Sequence, residues 1–188
     1  MLKSEIRTLF KSKRKELSQY DISRISSQVQ ALVMNSLQFQ GKYISLFLPI
    51  EKQREINTYS LLEDIVMKGG FPVISKSNFS DHSLSLFLYE GTAQLELSPF
   101  GIPEPKYGRM VPENKLDYVF VPLLAIDQKG HRVGYGKGFY DRLLAKCKPS
   151  CVFIGLSLFE EFTEITDLHT DDIPLHLCFT PNGIYDFR

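Results

Sequence analysis

The chain of 188 residues is 43% hydrophobic and 23% charged, which is ordinary for a soluble protein and predicts a single domain spanning residues 1–188. Its 22 basic and 22 acidic residues cancel, so no overall field favours nucleic acid or an anionic membrane, and any attraction for an anion must be local. No apolar run reaches the roughly 18 residues of a membrane span, the first residues lack the apolar core of a secretory signal, and three cysteines indicate free thiols in a reducing cytosol. We expect a cytoplasmic protein without nucleic-acid or membrane partners, and a monomer.

Apolar periodicity predicts alternating helices and strands along the chain. In chain order these are helices over residues 1–17 and from Ser18 or Asp21 to about Val33, a strand at 43–48, a helix ended by Gly69-Gly70, strands at 71–75, 84–89 and 116–126, a helix from Phe139 to Cys147, and strands at 151–157 and 177–180. Because helices join many of the strands, we predict an α/β fold with a largely parallel sheet covered on both faces. Ligands of such sheets bind at the carboxyl ends of the strands.

The first polar candidates lie on the first helix and after the first strand. Lys3 and Arg7 are one turn apart on one helix face, and further basic residues follow at 11–15; by composition all of these form a solvated face. Glu55 lies in the loop after strand 43–48 and could accept hydrogen bonds from a polar heterocycle, although a lone loop glutamate is more often solvated.

Two later segments leave similar alternatives open. The run Phe100–Pro105 contains two closely spaced prolines and cannot form a central strand, so it is either a linker or the wall of a ligand cleft. The pair Asp171–Asp172 precedes the last predicted strand. Such carboxylates suit Mg²⁺, which takes oxygen ligands together with substrate phosphates, but an Asp-Asp pair in a loop is otherwise commonplace.

The loop between strand 116–126 and the next helix contains the largest concentration of candidate functional residues. Its polar and glycine residues are Asp127, Lys129, Gly130, His131, Arg132, Gly134, Gly136, Lys137 and Gly138. Glycine lets a ligand approach backbone N–H groups closely, and the helix start adds unpaired donors. Arg132 and Lys137 add positive charge, so the loop predicts an anion site, such as one for phosphates. The alternative is a tight strand-to-helix turn with incidental charges, although the alternating glycines exceed what a turn requires.

This loop departs from the common nucleotide fingerprints. A P-loop has glycine five residues before its Gly-Lys pair and Ser or Thr after the lysine, and those positions hold His131 and Gly138. A dinucleotide loop has the pattern G-x-G-x-x-G, and Phe139 stands where its last glycine belongs.

The run from Asp127 to Arg142, D-x-x-G-x-R-V-G-Y-G-K-G-F-Y-D-R, resembles the signature of the 5-formyltetrahydrofolate cyclo-ligase (5,10-methenyltetrahydrofolate synthetase) family. A basic first helix, the Glu55 loop, the F-G-I-P-E-P run and an acidic loop before the last strand follow the family's order along nearly the whole chain. The resemblance implies a three-layer α/β/α fold of the sugar-phosphate isomerase and CoA-transferase type. It also implies conversion of 5-formyltetrahydrofolate to 5,10-methenyltetrahydrofolate, with Mg²⁺ as cofactor and hydrolysis of ATP to ADP and phosphate.

The resemblance further implies roles for individual residues. The implied ATP-binding residues are Lys3, Arg7, Arg132, Gly134, Tyr135, Gly136, Lys137, Gly138, Phe139 and Tyr140, and the implied folate-binding residues are Glu55, Tyr135, Gly136, Lys137, Gly138 and Phe139. Lys137 and Arg132 are the implied catalytic cations, and Asp141 and Asp172 the implied Mg²⁺ ligands. Residues 11–15 keep the interpretation of a solvated face. Val133 and Phe139 stand where many relatives have Leu and Tyr, and both departures are conservative.

Other function classes remain as alternatives. A regulatory or scaffold protein could keep nucleotide and folate binding without the reaction, but it would have no need of both a metal site and a heterocycle site. An isomerase or acyl transferase of the wider fold would act without ATP. An RNA-binding module would carry a basic and aromatic stripe, which this neutral sequence lacks.

Overall fold

A seven-stranded sheet forms the centre of the computed structural model, which describes residues 1–188. In chain order the elements are α1 Lys3–Glu16, α2 Gln19–Ser36, β1 Tyr43–Ser45, α3 Tyr59–Met67, β2 Phe71–Asn78, β3 Ser83–Leu88, β4 Leu95–Leu97, β5 Pro103–Pro105, β6 Tyr118–Pro122, β7 Ala125–Ile126, β8 Arg132–Val133, α4 Phe139–Leu144, β9 Val152–Leu156, β10 Leu177–Thr180 and β11 Gly183–Asp186. The strand order in the sheet is β11-β10-β9-β6-β1-β2-β3. Strands β10, β9, β6, β1 and β2 run parallel, and β3 and β11 pair antiparallel at the edges. The predicted α/β fold with a largely parallel sheet is confirmed.

The central strand β6 shows how the sheet separates two cores. Phe120 belongs to a cluster that contains buried residues of α2 and α3. Val119 and Val121 belong to a second cluster that contains Leu143 and Leu144 of α4. All three β6 side chains have no exposed surface. Alternate side chains of a strand point to opposite faces, so helices cover both faces and produce the layered arrangement.

A third, smaller cluster attaches α1 to the loop region of the sheet. Strands β7 and β8 form an antiparallel hairpin, and Ile6 and Phe10 of α1 pack there against Leu124, Ala125 and Val133. This contact brings the basic first helix against the glycine-rich loop that follows β8.

The predicted strand at 116–126 is in fact two strands. β6 ends at Pro122, which has no N–H to continue the ladder, and Leu123 and Leu124 enter different apolar clusters. The backbone N–H of Leu124 then donates to the carbonyl of Val133, which starts the β7–β8 hairpin.

Other predicted boundaries also change. The strand expected at 43–48 pairs only over Tyr43–Ser45. Helix α4 ends at Leu144 and does not reach Cys147; Pro149 follows closely and disfavours helical backbone before it. The last strand is β11, which was not predicted. None of the helices combines the length and apolar character needed to cross a membrane.

Candidate active site

A cavity of about 610 Å³ opens beside the β7–β8 hairpin, where β1 and β6 end. Phe47 and Leu48 line it just after β1, and Pro122 lines it as the last residue of β6. The predicted site residues that line it are Lys3, Arg7, Glu55, Arg132, Gly134, Tyr135, Gly136, Lys137, Gly138, Phe139, Tyr140, Asp141 and Asp172. The structure therefore gathers into one cavity every residue to which the family resemblance gave a role, whereas Asp171 of the carboxylate pair does not line it.

Two ion pairs mark the charged end of this cavity. Lys3 donates to the carboxylate of Asp172. The Arg132 guanidinium donates to Asp141 Oδ1 at 2.7 Å and to the carbonyl of Ile173 at 2.5 Å. Burial opposes ionisation of Asp172, but the His169 N–H and the Lys3 ammonium outweigh it and lower the pKa of this carboxyl. Each carboxylate at the charged end is thus paired with a cation.

The glycine-rich loop lies under α1. Arg7 Nε donates to the carbonyl of Gly134 at 2.9 Å. Gly136 has φ +86°, and a Cβ added there would lie 3.0 Å from Arg7 Cζ, so this close approach needs glycine. Lys137 is exposed, and no protein group accepts a hydrogen bond from its ammonium. The unpaired cation Lys137 of the loop therefore lies near Arg7 of α1, which is held against the loop backbone.

Glu55 forms the opposite, buried end of the cavity and is 5% exposed. Its Oε1 accepts a hydrogen bond from the Tyr135 hydroxyl at 2.6 Å, and its Oε2 accepts one from the Ile50 N–H at 2.8 Å. Burial raises the pKa of Glu55, although both hydrogen bonds and the nearby Arg14 oppose the change. The interpretation of Glu55 as a solvated loop glutamate is wrong, because the carboxyl is enclosed.

Arg14 was expected on a solvated helix face and is instead 5% exposed. It donates to the Tyr135 hydroxyl at 3.0 Å and to the Leu123 carbonyl at 2.6 Å. The sequence carries a signal that could have revealed this. Ile6, Phe10 and Arg14 recur every four residues, so Arg14 continues the apolar stripe of α1. Lys15, by contrast, is exposed as predicted.

Aromatic side chains border the cavity between its two ends. Phe79 lies 4.3 Å from Phe100 and 5.4 Å from Phe139, measured between ring centroids. All three line the cavity, as do Ile102 and Pro103. The segment at 100–105 is therefore a cavity wall rather than a linker. Phe79 was not predicted, and its position just beyond β2 was the only available hint.

The carboxylates of Asp141 and Asp172 are the available donors for a metal ion. The structure contains no group of three or more His, Cys, Asp or Glu side chains that could hold one. The side chains of Asp141 and Asp172 are 28% and 22% exposed, respectively. Mg²⁺ is usually held by one or two carboxylates together with substrate phosphates and water, so this incomplete set fits Mg²⁺ bound together with a phosphate ligand.

Comparisons with known proteins agree on one family. The model of the 5-formyltetrahydrofolate cyclo-ligase family matches residues 1–172. The chain is 32% identical to the 5-formyltetrahydrofolate cyclo-ligase of Haemophilus influenzae over 92% of this chain and 94% of that protein. It is 29% identical to the mouse protein of the same name over 77% and 74% of the two chains.

Solved structures show the same relationship. The 5,10-methenyltetrahydrofolate synthetase of Aquifex aeolicus superposes with a TM-score of 0.85 at 31% identity, over 100% of this chain and 94% of that one. The synthetase of Mycoplasma pneumoniae superposes with a TM-score of 0.78 over 96% and 99% of the chains. The latter is 21% identical and supports the fold alone.

Proposed function

The chain belongs to the 5-formyltetrahydrofolate cyclo-ligase family, and on this premise we propose that it converts 5-formyltetrahydrofolate to 5,10-methenyltetrahydrofolate, using ATP and Mg²⁺ and releasing ADP and phosphate. The observation that supports this most is the single cavity, which joins a cation-rich, glycine-lined end to a buried carboxylate end. One end suits a triphosphate and the other a polar heterocycle, so two substrates can meet in it.

In the proposed reaction the formyl oxygen of the substrate, polarised through N5, attacks the γ-phosphorus of ATP. ADP leaves, and an imidate phosphate forms on the folate. N10 then attacks the activated formyl carbon and loses its proton, and the ring closes as the formyl C–O bond breaks and phosphate departs. No side-chain nucleophile is needed, and the protein chiefly supplies positioned cations and N–H donors around the transferring phosphoryl group.

Lys137 is the cation best suited to the moving charge. Its ammonium is unpaired and exposed at the cavity, so it can follow the phosphoryl group. Both terminal nitrogens of Arg132 already have protein acceptors. We propose that Arg132 fixes Asp141 and contributes positive potential from a constant position, while Lys3 and Arg7 bind phosphate oxygens.

Asp141 and Asp172 are the residues that would hold Mg²⁺, which when bound neutralises charge on the phosphate oxygens. Arg132 holds the Asp141 carboxylate in an ion pair, and Lys3 holds that of Asp172. These ion pairs keep both side chains facing the cavity before any ligand arrives.

Glu55 and the aromatic wall suit the folate. An ionised carboxylate accepts hydrogen bonds from the N–H groups of a pterin, and the rings of Phe79, Phe100 and Phe139 offer faces and edges to planar groups. Tyr135 hydrogen-bonds Glu55 and also belongs to the glycine-rich loop, so it links the two ends.

The proposal is tested by following the absorbance of the methenyl product in the near ultraviolet. The purified protein is mixed with 5-formyltetrahydrofolate, with and without ATP and with and without Mg²⁺. We expect a rise that requires both. Binding of folate and ATP without any rise would instead support a non-catalytic binding protein. A monomer in the cytoplasm stays a prediction, and sedimentation of the purified protein tests its first part.

A further inference from the structure

Arg14 is a buried cation for which the proposed reaction has no use so far. It is 5% exposed and donates to the Tyr135 hydroxyl and to the carbonyls of Leu123 and Gln53. Its Nε is buried without any acceptor. Burying a guanidinium with an unsatisfied N–H is costly, and well-packed apolar residues often replace buried charges without loss of stability. Stability alone therefore does not explain an arginine here.

The direction of the hydrogen bonds explains more. Arginine only donates, so the Tyr135 oxygen accepts from Arg14 at 3.0 Å. The Tyr135 proton is then left for Glu55 Oε1, which lies 2.6 Å away. The second carboxylate oxygen already accepts from the Ile50 N–H. Both oxygens of Glu55 are thus acceptors for protein donors, which is the arrangement that an ionised carboxylate prefers.

We propose that Arg14 is a positioning residue that acts through Tyr135 to keep Glu55 ionised and fixed at the cavity, and that it thereby sets the affinity for the folate heterocycle. The inference rests on the proposed function, in which Glu55 binds that heterocycle. An ionised carboxylate has about four acceptor positions. Two are used by Tyr135 and Ile50, and the others remain for N–H donors of the ligand.

The titratable and charged groups around Glu55 are few. Arg14 faces it from α1, Tyr135 from the glycine-rich loop and Tyr140 from α4. Burial raises the pKa of Tyr140, and the Glu55 carboxylate adds to that effect, so Tyr140 remains a neutral phenol. Arg14 is the one cation among them, and its charge supports ionised Glu55 in addition to the larger effects of the Tyr135 hydroxyl and the Ile50 N–H.

The sign of the effect follows from these contacts. Burial raises the pKa of Glu55, and Arg14 acts against burial. Loss of the Arg14 charge raises the pKa of Glu55 further, so a larger fraction is protonated at neutral pH. The KM for the folate then increases at neutral pH and recovers as the pH rises. The KM for ATP stays unchanged, because ATP binds at the other end of the cavity.

The test compares Arg14→Met with Arg14→Lys and with Lys15→Met, which removes a neighbouring exposed charge from the same helix. KM for each substrate and kcat are measured across a pH series, and thermal unfolding is recorded for each variant. For Arg14→Met we expect the midpoint of the pH dependence of the KM for 5-formyltetrahydrofolate to be displaced upward by roughly one pH unit, so that this KM rises by up to roughly tenfold as the pH falls below the midpoint. Arg14→Lys should restore most of the midpoint, and Lys15→Met should match the unaltered protein.

Two results would overturn the inference. One is an unchanged pH midpoint in Arg14→Met, and the other is an equal rise of both KM values at every pH, which would indicate a packing role. If Arg14→Met does not fold, Tyr135→Phe decides, because the inference acts through the Tyr135 hydroxyl: a normal midpoint overturns the inference, and an upward displacement supports it. Absence of methenyl product from the unaltered protein would be a failure of the proposed function instead.

Discussion

The two ends of the cavity stabilise their charged side chains in different ways. At the charged end, Lys3 and Arg132 are neutralised by Asp172 and Asp141 in partly exposed ion pairs. At the buried end, Glu55 has no direct ion pair and is held by a hydroxyl and a backbone N–H. The partly exposed ion pairs can exchange partners with a ligand that brings its own charge and counterion, such as ATP with Mg²⁺. The buried hydrogen-bond network around Glu55 instead suits a neutral heterocycle, which is recognised by its pattern of hydrogen-bond donors and acceptors.

Removing the free cation should have the largest effect on the charged end. In Lys137→Ala we expect kcat to fall by at least roughly 10²-fold, the scale of losing one group that stabilises developing charge. The formation of methenyl product under saturating substrates measures it. Lys129→Ala, at an exposed position in the turn of the β7–β8 hairpin, is the control. Activity near that of the control would show that Lys137 has no part in phosphoryl transfer.

The buried end is tested by Glu55→Gln, which keeps the shape of the side chain and removes its charge. The KM for 5-formyltetrahydrofolate should rise roughly 10- to 100-fold, as expected for lost hydrogen bonds to a charged acceptor. The KM for ATP should change little. Glu51→Gln removes an exposed charge from the same loop and should change neither constant. A larger rise in the KM for ATP would place Glu55 at the wrong end of the cavity.

Lowering the pH should reproduce part of the Glu55→Gln effect without any mutation. Burial raises the pKa of Glu55, so this carboxyl takes up a proton before an ordinary glutamate does as the pH falls. The pKa of Asp172 is lowered, so the charged end keeps its carboxylate. The KM for the folate should therefore rise at mildly acidic pH before the KM for ATP, once protonation of ATP itself is corrected for. The reverse order would contradict the contrast between the two ends.

The smallest effect is expected from Gly136→Ala. A residue other than glycine at φ +86° costs roughly 1–2 kcal/mol. This loss should lower Tm by about 2–8 °C at 2–4 °C per kcal/mol for a chain of this size. The new methyl group would also press on Arg7, so the KM for ATP should rise a few-fold. Gly183→Ala, where a Cβ meets no atom within 4 Å, is the control for calorimetry and kinetics.

Apolar periodicity predicted the fold well where burial is uniform along an element. Strand β10 was predicted with its observed limits, Leu177–Thr180, because each of its side chains is buried. Strand β11 was missed, since its side chains are only partly buried or exposed. The break after Pro122 was also missed. Apolar residues continue to Ile126, and an uninterrupted apolar sequence does not indicate where the chain passes from one hydrophobic cluster to another.

Charge patterns predicted less of the site than glycine spacing did. The loop at 134–138 was identified from its glycines, and the resemblance added Lys3, Arg7 and Asp172 from distant parts of the chain. Arg14 and Lys15 are adjacent basic residues, yet the structure buries one and exposes the other. Only the packing of α1 on the β7–β8 hairpin separates them, and that packing depends on contacts far apart in sequence.

The contact between Lys3 and Asp172 joins positions 169 residues apart. During synthesis α1 leaves the ribosome first, and at about 5–20 residues per second its partner follows roughly 10–30 s later. The charged end of the cavity therefore does not exist in the nascent chain, whatever the concentration of ATP in the cell. Binding of ATP at this end therefore requires that Asp172 has been synthesised, and a chain cut anywhere between α1 and Asp172 loses the covalent link between the two halves of its phosphate site.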